Sequence, residues 1–591
     1  MTTGAETVRW DLSALYASPD DPALADDLSS ALDDAKSFSA RFHGRIGALS
    51  ASELAAATDE LEAINERIDR AGAFAYLRFA TDTADPARGA LLQTVEERST
   101  AIATELLFVE LEWAAVPDVR AAELLAEPAL ARWRHFLEAA RRFRPHLLSE
   151  PEEKVLAEKT VTGRSAWSRL FTQVTDAISV ELDGQRVPLE EALSRLHHPD
   201  REVRRAAGHA VTRALEPGLT VRTYIFNTIL ADQSTDDRLR AFPTWISSRN
   251  LSNEIDESTV EALVTSVTSR YDLPARWYRL KARLLGLDEL TEHDRYAPLL
   301  PDEREVDWPE ARRTVLDAYR SFSPQMAEIA AGFFERYIDA PVVPGKQGGA
   351  FSHPAVPTAH PYVLLNFTAR RRDVMTLAHE LGHGVHQVLA NRQGLFNAAT
   401  PLTLAETASI FGETVTFARL LDDEHEPSAR LALIASRIED ISASVFRQTA
   451  MNRFEDAVHN LRRSEGELSA ERFGEEWLRT QREMFGDSVR ISDEYATWWS
   501  YIPHFIHTPG YVYAYAFGNL LALAIYARYE AEGAAFVPSY LELLAAGGSD
   551  RPEALAAIVG VDLTDPDFWN AGLAVIGDLV DEAEKLADSL T

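Results

Sequence analysis

The chain has 591 residues, 46% of them hydrophobic, and its 59 basic and 92 acidic side chains give a formal charge of 59 − 92 = −33. That charge repels nucleic acid and anionic membranes, so neither is an expected partner. Cysteine is absent, which excludes disulfides and thiolate chemistry and agrees with a reducing compartment.

Met1 to Tyr16 carries charges and no apolar core of a signal peptide, so a cytoplasmic location is expected. Ala, Leu, Glu and Arg recur at helical spacing through residues 1–190, as in Ala51 to Ile68 and Leu91 to Trp113. This predicts an N-terminal helical region of antiparallel helices with few strands. Residues 191–591 then form the region that carries the chemistry.

Between Pro341 and Pro361, closely spaced prolines and glycines predict loop and short strands. Lys346 in that loop is expected to be solvated, the other reading being a contact with a substrate carboxylate. Pro361 to Thr368 has strand character. It reads equally well as an edge strand that pairs with an extended peptide and as an internal strand of a small sheet.

Asp373 is a suitable N-cap for the helix that follows, and Asn391 and Gly394 are suitable terminators. That helix contains His379-Glu380-Leu381-Gly382-His383. Residues four apart lie on one helix face, so both imidazoles can reach one metal ion, with Glu380 beside the open coordination position as general base. Composition alone expects roughly 0.07 such matches in a chain of this make-up. Gly382 costs helix propensity and permits close approach of another backbone or of substrate. His386 shares the metal-facing side and reads as a supporting or packing histidine.

A catalytic zinc takes three protein ligands and a water. The third candidate is Glu406, in a second helical segment running from Leu404 to Glu413. Glu406 and Glu413 are seven apart in an otherwise apolar run, and two acids there require a partner. Glu413 reads as support for the metal site or as a salt-bridge acid. Further on, Tyr501 to Tyr515 gathers His504, Tyr511, Tyr513 and Tyr515, whose N–H and O–H groups are suitable donors to an oxyanion. The uncharged run Thr508 to Ala527 has the length of a membrane span, yet Pro509, Gly510, Gly518, Asn519 and its tyrosines favour a buried helix.

Together these segments resemble the M3 metallopeptidases, most closely the oligoendopeptidase F branch. The likeness starts at Arg9-Trp10-Asp11-Leu12-Ser13-Ala14-Leu15-Tyr16 and continues through Ser248-Arg249-Asn250 and Gly345 to Phe351. It is strongest at Met375 to His383. The resemblance implies a mainly α fold, with a zincin-like catalytic core, a small β-sheet and helical walls around a deep substrate channel. It also implies one Zn²⁺ on His379, His383 and Glu406, with Glu380 as base. His504 and Tyr515, and less closely Tyr511, match positions that stabilise the oxyanion, and the implied substrates are oligopeptides.

A carboxylate-bridged di-iron bundle is the rival enzyme, because Glu380 to His383 is also E-x-x-H. No second histidine of the 16 has Glu three residues before it. The non-enzyme rival is a helical peptide-binding scaffold with a structural metal; such sites usually hold four protein ligands, often cysteines.

Overall fold

A computed structural model describes residues 3–299 and 305–590. About 73% of the chain is helical, with only short strands, which makes the fold mainly α. Internal contacts gather the chain into two units, each drawn from three stretches: Met1–Arg144, Glu303–Asp423 and Ile525–Asp562 in the first, and Pro145–Asp302, Glu424–Ala524 and Leu563–Thr591 in the second.

In the first unit, helices Pro22–Phe42, Ala51–Ala80 and Pro86–Leu106 pack against one another. Their starts are local. Asp21 and Asp85 cap the first turns, each followed by a proline, and Ser50 with Glu53 forms a reciprocal capping box. Leu24, Leu28, Ala31, Ala35 and Phe38 form the buried stripe of the first of these helices.

The first unit also holds a three-stranded sheet in which Tyr362–Phe367 is central, parallel to Ile338–Pro341 and antiparallel to Phe351–His353. Tyr362–Phe367 is therefore internal, and the edge-strand reading fails because both of its sides are already paired. Lys346 departs from both expectations. Its ammonium is fully buried and donates to Asp339 Oδ1 at 2.7 Å and to the carbonyls of Leu365 (2.6 Å), Pro341 (2.9 Å) and Asp339 (3.2 Å). It ties the sheet together.

The sheet leads into the helix Arg371–Ala390, which packs along Thr407–Asp423. Asp373 is not the N-cap but lies in the first turn. Its carboxylate accepts from the N–H groups of Thr368 (2.6 Å) and Arg370 (3.1 Å), so it secures the strand-to-helix turn from inside the helix. Asn391 caps the C-terminus as expected.

The second unit contains a hairpin that the helical reading of residues 1–190 passed over, Ser179–Leu182 with Gln185–Pro188. Asp183-Gly184 joins the strands with φ of 53° and 77°, and that dipeptide is the local signal that identifies such a turn. Helices Leu219–Leu239, Gln448–Glu465 and Ala470–Phe485 surround an aromatic core of Phe226, Phe454, Phe473, Trp477, Trp499 and Phe505. No described helix is long and apolar enough to cross a membrane.

Candidate metal centre

On helix Arg371–Ala390 the two histidines of the motif fall on one face, with ring centroids 4.8 Å apart. Glu406 sits at the junction between the one-turn helix Leu402–Ala405 and helix Thr407–Asp423. The expected continuous segment is thus broken at the acid itself. The break turns the Glu406 side chain toward the histidines: its Oε2 is 3.4 Å from Nε2 of His379 and 3.4 Å from Nε2 of His383. One atom from each residue lies within 4.8 Å of the other two, a spacing at which one ion can be shared.

Close helix packing makes this convergence possible. A Cβ on Gly382 would stand 2.5 Å from the carbonyl oxygen of Ala408 and 2.7 Å from Cα of Ser409. Gly382 therefore admits the backbone that follows Glu406, one of its two anticipated uses. Ser409 Oγ donates to Glu406 Oε2 at 2.7 Å and fixes the carboxylate. Tyr319, which the sequence reading missed, donates its hydroxyl to the carbonyl of Ala378 at 2.5 Å, at the start of the motif.

Glu413 contacts His379 directly, with Oε1 2.5 Å from Nδ1. Of its two anticipated roles the contact fits support of the metal site, since a carboxylate on Nδ1 fixes the ring and leaves Nε2 toward Glu406. Burial works against a charged His379, but the Glu413 carboxylate pushes its pKa up to about 9. Burial likewise opposes ionisation of Glu406, whereas His383, His379 and Ser409 hold its pKa down to about 2. Glu380 is 6% exposed, and burial raises its pKa above the ordinary carboxyl value. Its Oε2 is buried and has no hydrogen-bond partner among the described residues. Three acids around two imidazoles, one with an orphaned oxygen, suit a divalent cation with a water beside Glu380. His386 is buried among its neighbours, which lowers its pKa to about 4 and keeps it neutral.

In the second unit, His504, Tyr511 and Tyr515 form a cluster. His504 Nε2 lies 3.2 Å from the Tyr515 hydroxyl, the Tyr511 ring stacks on His504 with centroids 6.4 Å apart, and Tyr511 meets Tyr515 edge-on at 5.1 Å. Phe505, 1% exposed in the aromatic core, anchors the turn that carries His504. Tyr513 is instead a core residue, bonded to Asn250 Oδ1 (3.0 Å) and Asn253 Nδ2 (2.8 Å).

Two residues that sequence reasoning did not single out brace the turn before Tyr511. Arg249 Nε donates to the carbonyl of Pro509 (3.2 Å), and Glu455 Oε1 accepts from the Gly510 N–H (2.9 Å). The Ser248-Arg249-Asn250 block was the available signal for the first. Nothing in the sequence marks the second.

Glu455 is fully buried, and burial pushes its pKa up to about 8 from 4.5. The folded protein then holds a proton that the unfolded chain has released, so this group's stabilising contribution is complete below about pH 4.5 and is lost as pH rises through 8. Glu455→Gln is expected to abolish that dependence. In thermal melts the variant should gain on the wild type between pH 5 and pH 8, by on the order of 1–4 kcal/mol. Parallel profiles for the two proteins would contradict the assignment.

Two histidines of an H-E-x-x-H motif and a converging carboxylate thus form a candidate metal centre in a mainly α fold. Residues 317–575 match the model of peptidase family M3, and residues 112–179 match that of oligopeptidase F. The chain belongs to peptidase family M3, in its oligoendopeptidase F branch, and is a metalloendopeptidase.

Among relatives, it is 28% identical to oligopeptidase PepF of Bacillus subtilis, covering 92% of this chain and 82% of that one. It is 27% identical to group B oligopeptidase PepB of Streptococcus agalactiae, covering 98% and 97%. The fold matches the crystal structure of oligoendopeptidase-F from Enterococcus faecium with a TM-score of 0.72 at 23% identity, over 95% of this chain and 98% of that one. It matches a solved chain from Chlamydophila abortus with a TM-score of 0.87 at 23% identity, over 99% of each.

Proposed function

We propose that this protein is a zinc-dependent endopeptidase that hydrolyses internal bonds of short oligopeptides in the cytoplasm. In this reading His379, His383 and Glu406 are the zinc ligands, and Glu380 is the general base. The observation that carries it is the buried, unpartnered Oε2 of Glu380 next to three converging donor atoms. The names of the relatives, oligopeptidase and oligoendopeptidase, support the substrate class.

When bound, a divalent ion acidifies a water ligand and polarises the scissile carbonyl. Glu380 takes the proton of the attacking water and returns it to the leaving amine; its raised pKa suits both transfers. Glu413 holds His379 in the ligating tautomer. His504 and Tyr515, with Tyr511 beside them, would donate to the carbonyl oxygen as it gains charge on addition of water.

Elemental analysis tests the ligand set. The wild type is expected to hold one zinc per chain, and Glu406→Ala to lose most of it; undiminished zinc in that variant would remove Glu406 as a ligand. Tyr515→Phe is expected to lower kcat by about 10²-fold with little change in KM, as for loss of an oxyanion donor. A change confined to KM would assign Tyr515 to ground-state binding.

A further inference from the structure

Beside the metal centre, the first unit contains a cavity of about 310 Å³. Its wall includes His383 and also Ala405, the residue before Glu406, so the cavity adjoins the point where a scissile bond would be held. Val356, Leu395 and Ala398 give it apolar surface, and Asp69 is the one acid among its lining residues.

Asp69 is exposed at the cavity wall, and among the described residues no donor bonds to its carboxylate and no cation pairs with it. The adjacent guanidinium is already engaged, because Arg70 is held by Glu66 and Thr358. Protein packed around the carboxyl, with Glu66 nearby, raises the Asp69 pKa, as expected of a carboxylate without a counter-charge. A lysine or arginine side chain matches the geometry, because it has an apolar stem that favours apolar walls and a charged head that seeks a carboxylate.

We infer that this cavity is a specificity subsite for a lysine or arginine side chain flanking the scissile bond, with Asp69 as counter-charge and Val356, Leu395 and Ala398 along its stem. The inference rests on the peptidase reading above.

The test uses zinc-loaded full-length protein and internally quenched peptides with both ends blocked, identical except for Arg, Lys, norleucine or Glu at each position flanking the cut. At one of these positions the wild type is expected to favour Arg and Lys over norleucine by about 10-fold or more in kcat/KM, the scale of a charged hydrogen bond. Asp69→Asn should bring that ratio close to one without lowering Tm, and Asp69→Lys should shift the preference toward Glu. A basic preference that survives in both variants, or no basic preference in the wild type, overturns the subsite.

Blocked ends separate a side chain from a peptide amino terminus; a preference seen only with free amino termini also overturns it. If no peptide is cut, the peptidase reading fails. The cavity is then judged by fluorescence anisotropy with the same Arg and norleucine peptides. Tighter binding of the Arg peptide that Asp69→Asn abolishes supports the subsite, and equal binding overturns it.

Discussion

Glu380→Gln is expected to keep the metal and lose turnover by about 10²–10⁴-fold in kcat, the range attributable to a positioned general base. Glutamine preserves the shape of the side chain but cannot take a proton. His379, His383 and Glu406, which present the converging donor atoms, are untouched. Glutamine also removes a carboxyl whose buried Oε2 has no protein partner, so the fold should tolerate the exchange. Elemental analysis together with steady-state kinetics on one peptide checks both halves. Retained zinc with kcat within about threefold of wild type would remove Glu380 as the base.

The second large effect is on stability. Lys346→Met is expected to cost about 3–5 kcal/mol in urea unfolding, as when one member of a buried ion pair is deleted. Asp339 is 3% exposed, and its remaining cation, Arg9, stands 3.5 Å away and is 43% exposed. Three carbonyls that accept from Lys346 would lose their donor as well. Because these groups bridge Ile338–Pro341 and Tyr362–Phe367, the strand that leads to the metal helix should loosen, and zinc affinity should fall with stability. A loss below about 1 kcal/mol, the range of an exposed pair, would show that Lys346 is replaceable.

What the sequence disclosed depended on how local the determining physics was. Helix Arg371–Ala390 was legible because apolar periodicity and the His-Glu-x-x-His spacing lie in a single stretch. Glu406 stood out because an acid in an apolar run needs a partner, although the break in the helix at that residue was not foreseen. Gly382 was recognised as a site of close approach, and the structure identifies the neighbour as the Ala408–Ser409 backbone.

Long-range determinants remained hidden. The burial of Lys346 depends on carbonyls at Pro341 and Leu365, and an isolated lysine in a glycine-rich loop carries no mark of it. Whether Tyr362–Phe367 lay inside the sheet or on its edge depended on two partner strands, one of four residues ending in proline and one of three, both too short to stand out as strands. Asp69 and Glu455 gain meaning only from distant surroundings, a cavity wall some 285 to 336 positions on in the chain for one and the Gly510 N–H for the other. Asp373 looked like an N-cap because its residue type suits that position, but its carboxylate serves the preceding turn from three residues further in.

The activity proposed for this protein is metal-dependent cleavage within a peptide chain. Its most direct test is incubation of the purified protein with an unstructured, end-blocked peptide in three conditions: as purified, after chelation, and after zinc is restored, with products mapped by mass spectrometry. Cuts at internal bonds are expected, abolished by chelation and restored by zinc. Cleavage that persists at full rate without metal would contradict it, as would a zinc-loaded protein that binds such peptides and leaves them intact.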